Sequence, residues 1–203
     1  MSCEISAGRA TSCKDATGGI KGIYIHNYDE WYNNATTVIG TDNAITDISA
    51  YGNGSAASVF EVYYFALRRE MANLSISVNS DPSTGTTFFE QVLTVDFIKL
   101  TLEDANKLRV LAYGRPQIIV EDNQGNLIML GAKNGMDVTG GSIDTGQAFG
   151  DKNGMQITFT GRETVAFMEL TEPATPCNPA NDTCADAPFE KYLATMIEVD
   201  PTE

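Results

Sequence analysis

Between Thr86 and Glu163 the spacing of apolar side chains changes period twice, and this limits the possible folds more than any other feature of the chain. From Thr86 to Leu100 the period is two. Phe89, Leu93, Val95 and Phe97 fall on one face, and Glu90, Thr94 and Asp96 fall on the other. Side chains alternate across a strand, so the pattern describes a sheet with one buried and one wet face. Gln91 interrupts the apolar face, and Phe88, Val92 and Ile98 stand on the polar one. The second face therefore expects cover, either from a loop of the same chain or from a neighbouring subunit.

At Thr101 the period becomes helical. The Thr101 hydroxyl suits an N-cap, Asp104 three residues on gives a weak capping box, and Glu103 and Asp104 suit the positive end of the helix dipole. Leu102, Ala105, Leu108, Leu111 and Ala112 form one apolar stripe. Lys107 and Arg109 fall late, where cations are favoured. Gly114 is expected to close the helix in the left-handed conformation, and Pro116 prevents continuation. A helix of about three turns does not hold itself together in water, so the stripe must pack on a sheet.

From Gln117 the period returns to two. Gln117–Asp122 and Leu127–Gly131 flank Asn123-Gln124-Gly125-Asn126, which predicts a hairpin. Lys133–Asn153, rich in glycine and poor in large apolar residues, predicts a loop that orders against a neighbour. Met155, Ile157 and Phe159 then alternate with Gln156, Thr158 and Thr160 as a further half-buried strand, which Thr164–Leu170 is expected to extend.

Earlier in the chain, residues 1–19 predict an arm. Ile23 and Ile25 alternate with Tyr24 and His26 in a first strand. Short strands are expected at Thr37–Ile39 and Ala44–Ile48. Ser58–Arg69 is strongly β-prone on both faces. Leu74–Val78 alternates with Ser75 and Ser77, and the connector Arg68–Asn73 suits a hairpin-like return. Asp81-Pro82-Ser83-Thr84-Gly85 is a turn by composition. Late in the chain, Thr171–Pro188 predicts a linker, and Phe189, Tyr192, Leu193 and Met196 give Phe189–Val199 a helix-like amphipathic spacing.

The fold class expected is mainly β, a sandwich or barrel with one flanking α-helix. The expected organisation is an arm over 1–19, a β domain over 20–165 and an extension over 166–203. The 203 residues suit one decorated domain, and 42% hydrophobic content supplies its core. No apolar run reaches membrane-spanning length, and MSCEISAGRATSCK lacks the apolar centre of a secretory signal, so a soluble protein made in the cytoplasm is expected. The formal charge of −14 opposes a general phosphate-binding surface. Ordinary solubility accounts for it; in a ring, an acidic lumen would repel phosphates and let DNA slide.

Chemistry leaves no signature. No phosphate-cradling loop or glycine fingerprint is present, and Gly140-Gly141 opens no helix. The one histidine, His26, sits in the first strand and cannot by itself argue a triad. Glu121 and Asp122 read as a solvated turn. Cys3 with Cys13 and Cys177 with Cys184 lack zinc-knuckle spacing. Free thiols are expected of a cytoplasmic protein, and a Cys177–Cys184 disulfide suits a particle that leaves the cell. No enzymatic role is expected, with no catalytic, cofactor-binding or metal-binding residue and no cofactor.

The order strand, short helix, hairpin, glycine loop, strand resembles the tail-tube and neck-ring proteins of tailed bacteriophages. Gly18-Gly19-Ile20-Lys21-Gly22-Ile23-Tyr24, TTFFEQVLTV, LAYGRPQIIVEDNQGNLIMLG and GMDVTGGSIDTGQAFGDKNGMQITFTGRE carry the resemblance. Together they are similar to virion proteins of phages of Bacteroidetes hosts, including the crAss-like group, over roughly residues 1–165; residues 166–203 have no counterpart. The resemblance implies a tail-tube-like fold and a structural subunit that joins itself edge to edge in a ring, a hexamer or dodecamer, around a DNA channel. Ser58–Arg69 and Thr86–Leu100 would then form the lumen sheet. The glycine loop and both termini would reach adjacent tail, neck or portal rings, and DNA would pass without sequence-specific binding. The alternative is a capsid or fibre decoration protein with an immunoglobulin-like sandwich. A carbohydrate-binding sandwich using Tyr28, Trp31 and Tyr32 is a third reading.

Overall fold

A computed structural model describes residues 17–28, 37–39, 45–48, 60–99, 101–170 and 196–199. In chain order the strands are β1 (Ile20–His26), β2 (Thr37–Ile39), β3 (Ile45–Ile48), β4 (Phe60–Ala66), β5 (Ala72–Asp81) and β6 (Thr86–Ile98). The helix α1 (Leu102–Tyr113) follows. Then come β7 (Gln117–Asp122), β8 (Leu127–Leu130), β9 (Asp137–Asp144), β10 (Gly154–Glu163), β11 (Met168–Leu170) and β12 (Met196–Val199). They form two sheets, one of eight strands in the order β12-β4-β1-β7-β8-β11-β3-β2 and one of four in the order β5-β6-β10-β9. Most pairs are antiparallel, whereas β12 joins β4 and β11 joins β3 in parallel. The protein is thus mainly β with one short helix among the described residues, and neither sheet closes into a barrel.

The period-two strands explain the core. Ile23 and Ile25 of β1 stand opposite Val120 and Ile118 of β7, and Leu93 and Val95 of β6 stand opposite Phe159 and Ile157 of β10. These residues, with Leu130, Met136 and Met155, form one buried cluster shared by both sheets. Phe65 of β4 meets Phe97 of β6 edge-on, ring centroids 5.8 Å apart, across the sheet-to-sheet gap. Each such fully buried side chain contributes about 1.5–3 kcal/mol.

The eight-stranded sheet is buried on its other face as well. Tyr24, Val62, Ile119, Met129, Met168 and Leu170 all lie inside. This is why Ile118–Val120 reads as a continuous apolar run rather than an alternation. The two turns predicted from composition are present. Asp122 Oδ1 accepts the N–H groups of Gln124 and Asn126, each at 2.8 Å, with Gly125 at φ 86°. Asp81 Oδ1 accepts the Ser83 N–H at 2.8 Å in the β5–β6 hairpin.

Several expectations fail for tertiary reasons. The expected loop over Lys133–Asn153 contains a strand, β9, zipped antiparallel to β10. Arg68–Asn73 is not a hairpin return, because β5 pairs with β6 in the four-stranded sheet while β4 lies in the other. For the same reason Ser58–Arg69 and Thr86–Leu100 do not share one lumen sheet. Thr164–Leu170 does not extend β10; the chain breaks and β11 crosses to pair with β8. Met196–Val199 is a strand on β4 rather than the end of a helix.

The helix also ends differently from the expectation. Gly114 keeps an ordinary φ and donates to the carbonyls of Val110 and Leu111 at 3.1 and 3.2 Å. Lys107 and Arg109 precede the last turn, which holds no basic residue. Of the predicted stripe, Leu111 packs against the core and Ala112 is exposed. The Leu108 side chain lies outside the described residues, as do all four cysteines, Trp31, Tyr32 and residues 171–195.

Candidate assembly surface

The four-stranded sheet ends in two long strands, β5 of ten residues and β9 of eight. Among the described residues neither has a strand on its outer side. An edge of that kind presents unpaired N–H and C=O groups, which proteins usually guard with lysine, proline or bulges. The β5 sequence ANLSISVNSD contains neither lysine nor proline, and its register to β6 is unbroken. β9 has one bulge, at Thr139, and then Gly140-Gly141, where a Cβ on Gly141 would lie 2.7 Å from the Gln156 carbonyl oxygen. Gly141 is thus a requirement of close strand packing, which composition alone presents as a loop signal.

The face of this sheet turned away from the core carries many short polar side chains, among them Asn73, Ser75, Ser77, Thr94, Thr158 and Thr160. Hydroxyls pair across strands, Thr94 with Thr158 at 3.4 Å and Thr139 with Thr160 at 2.8 Å. Two ion pairs lie on it, and Asp81, Asp137 and Asp144 add further negative charge. Arg162 meets Glu90 at 3.2 Å, and Asp96 takes both the Lys152 ammonium and the Gln156 amide. Phe88 lies under the Arg162 guanidinium, 5.9 Å from it. The predicted wet face of the central strand is therefore real; of its apolar members Phe88 and Val92 are half-buried and Ile98 is exposed.

A second polar cluster holds the sheets together. The turn 131–136 leaves β8 with Gly131 and Gly135 in the left-handed region, at φ 62° and 71°. Gln91 accepts the Gly131 N–H at 2.9 Å and donates to the Ala166 carbonyl at 2.8 Å. Glu163 accepts the N–H groups of Lys133 and Asn134 through one oxygen, at 3.0 and 2.8 Å. Tyr28 donates to the Lys133 carbonyl at 3.0 Å, and Arg115 stacks on its ring at 4.7 Å. Gln91, which interrupts an apolar face in sequence, is thus a buried bridge. The only sequence signal for Glu163 is a carboxylate ending a strand of otherwise apolar inward positions.

Glu121 corrects another expectation. It is not part of a solvated turn but is buried, ion-paired to Lys21, with the Tyr24 hydroxyl at 3.5 Å. The hydrogen bond to Glu121 raises the Lys21 pKa above its ordinary value, against a smaller opposing effect of burial. Asp81 is held below the usual carboxylate range by the Ser83 hydroxyl and N–H. The Ala148 and Gln147 N–H groups do the same for Asp151.

His26 is buried in β1 opposite Gln117. Tyr28 is engaged with Lys133 and Arg115, which argues against a sugar platform built on it. Among the described residues no group of three metal-binding side chains comes together, and no helix is long and apolar enough to cross a membrane. No protein-family model, characterised protein or solved structure matches the chain.

Proposed function

We propose that the protein is a virion structural subunit that closes into a ring of the phage tail or neck around the DNA channel, with no catalytic step. The observation that carries this reading is the pair of long edge strands, without a strand on their outer sides among the described residues, on an antiparallel sheet with an even number of strands. Because β5 and β9 run in opposite directions, a head-to-tail join of β9 to the β5 of the next copy keeps the sheet antiparallel without turning the subunit over. Repeated joins of that kind form a ring if the rotation closes, and closure leaves no edge.

The joined sheets would line the channel with the Ser/Thr/Asn face of β5, β6, β10 and β9. Such a face, whose cations Lys152 and Arg162 are paired with Asp96 and Glu90, offers passing DNA no cationic trap. The partners are further copies of the chain and the adjacent tail, neck or portal rings, and the location is the virion. Negative-stain electron microscopy with the mass from light scattering tests this. Rings or stacked tubes support it. A monomer at every concentration moves the assignment to a decoration protein, for which an open two-sheet sandwich is equally suited.

A further inference from the structure

The outer edge of β4 is only half covered. β12 lies along it in parallel, with Met196 level with Phe60 and Val199 level with Tyr63. On its other side β4 is paired with β1 as far as Ala66, and the Leu67 N–H then bonds the Lys21 carbonyl at 3.2 Å. Among the described residues no strand pairs with Tyr64, Phe65 and Ala66 on the β12 side.

The chain then crosses to β5 through a cationic connector. Arg68 and Arg69 are exposed in a turn that the Met71 N–H closes on the Arg68 carbonyl at 3.3 Å. Lys99, also exposed, leaves β6 beside this turn, where the Met71 carbonyl takes the Asp96 N–H at 2.7 Å. Arg68, Arg69 and Lys99 have no ion pair among the described residues, and Glu70 is the one acid of the turn. The neighbouring cations are already engaged, Lys21 with Glu121 and Lys152 with Asp96. Asp122 and Asp144, on nearby strands, are held by donors of their own segments. In a chain of formal charge −14, an uncompensated cationic turn calls for an acidic partner.

The register of β12 says which partner reaches it. At the same offset, Asp200 comes level with Tyr64, Pro201 with Phe65, Thr202 with Ala66 and Glu203 with Leu67. Four residues of strand span about 13 Å, the distance along β4 from Tyr63 to Leu67. Level residues of neighbouring strands share a face. Leu67, like Phe65, packs toward the core between the sheets, so Glu203 falls on the side where Arg68–Met71 crosses from β4 to β5. Pro201 is compatible with an edge strand. Asp200 falls on the opposite face, with Tyr64.

We infer that residues 200–203 of the same molecule continue β12 along β4 and that Glu203 is clasped by Arg68 and Arg69. Length, register, face and charge agree on this segment. The contact does not depend on the ring reading. It covers the rest of the β4 edge, so that this side of the eight-stranded sheet does not compete with β5 and β9 for a further strand.

The test places the photo-crosslinker p-benzoylphenylalanine at Thr202 of the full-length chain, in a one-to-one mixture of ¹⁴N and ¹⁵N protein. The expected product is a link within one molecule, with the acceptor peptide inside 64–71. The same acceptor in a link between copies overturns docking on the chain's own β4 and makes the segment an exchanged strand. An acceptor elsewhere, or no product, overturns the docking itself. The clasp is read separately. Arg68→Glu combined with Arg69→Glu is expected to abolish the link, and adding Glu203→Arg to restore it, with the far-ultraviolet circular dichroism unchanged throughout. A link that survives the double reversal, or one that the added Glu203→Arg does not restore, overturns the ion pair.

Discussion

The side-chain carbonyl of Gln91, in the four-stranded sheet, accepts the backbone N–H of Gly131, where the chain leaves the eight-stranded sheet, at 2.9 Å. Its amide donates to Ala166 at 2.8 Å, just before β11 crosses back. One buried carboxamide therefore fixes two of the passages between the sheets, from β8 to β9 and from β10 to β11. Gln91→Leu keeps the volume and leaves two backbone groups without this partner. The expected loss is about 2–4 kcal/mol in urea unfolding. An unchanged midpoint would show that these bonds are replaceable.

Gly131 is the next most sensitive position of the same turn. At φ 62° a side chain is strained, and a Cβ would lie 2.7 Å from the Gly135 carbonyl carbon. Gly131→Ala is expected to cost at least about 2 kcal/mol. Gly85, at φ 67° with nothing near its Cβ position, supplies the control. Gly85→Ala should cost only about 1 kcal/mol, the conformational part alone. Thermal denaturation of the two variants side by side checks the difference.

The pH dependence follows from the shifted groups. Lys21 has a raised pKa in the folded state through Glu121, so the fold holds this proton more tightly than the unfolded chain does. Its contribution is complete below the ordinary lysine value of about 10.4 and is lost as pH rises through the folded value. Asp81 and Asp151 have lowered values. Their contributions are present above about pH 3.9 and are lost as pH falls through the folded values. Lys21→Met is expected to flatten the alkaline limb of a stability–pH curve and leave the acid limb intact. It should also lower stability at neutral pH, because Glu121 stays buried without its cation. An alkaline limb identical to that of the parent protein would exclude this pair as its source.

Two adjacent helix residues should respond in opposite ways. Leu111 packs on the core and Val110 does not. Leu111→Asp places a charge against apolar neighbours and should cost about 2–4 kcal/mol. Val110→Asp should change the stability of the monomer by about 0.5 kcal/mol or less. Chemical denaturation followed by circular dichroism separates them; similar losses would mean that the helix is rotated from its described orientation.

Legibility in the sequence depended on the range of the interaction. The strands β6 and β10, the helix span and the Asp122 and Asp81 turns rest on contacts within a few residues, and period and turn chemistry disclosed them. β9 stayed hidden because DVTGGSID has few apolar residues and two glycines. It is a strand only because β10 supplies its hydrogen bonds, and Gly141 suits the close approach to Gln156. Glu121 looked solvated because Lys21, its partner, is 100 residues away.

The candidate surface was even less accessible to sequence. Whether a strand is an edge is a property of strand order, and strand order is settled by which apolar faces find each other across the sandwich. By itself the sequence determined a mainly β chain, the helix after β6, its principal turns and the absence of any recognisable catalytic motif, because alternation, capping and turn residues act locally. Only the tertiary structure decided that β4 and β6 part into opposite sheets, that Gln91 and Glu163 hold the turn between them, and that β5 and β9 are left open. Those outcomes depend on contacts between residues far apart in the chain, which no local pattern records.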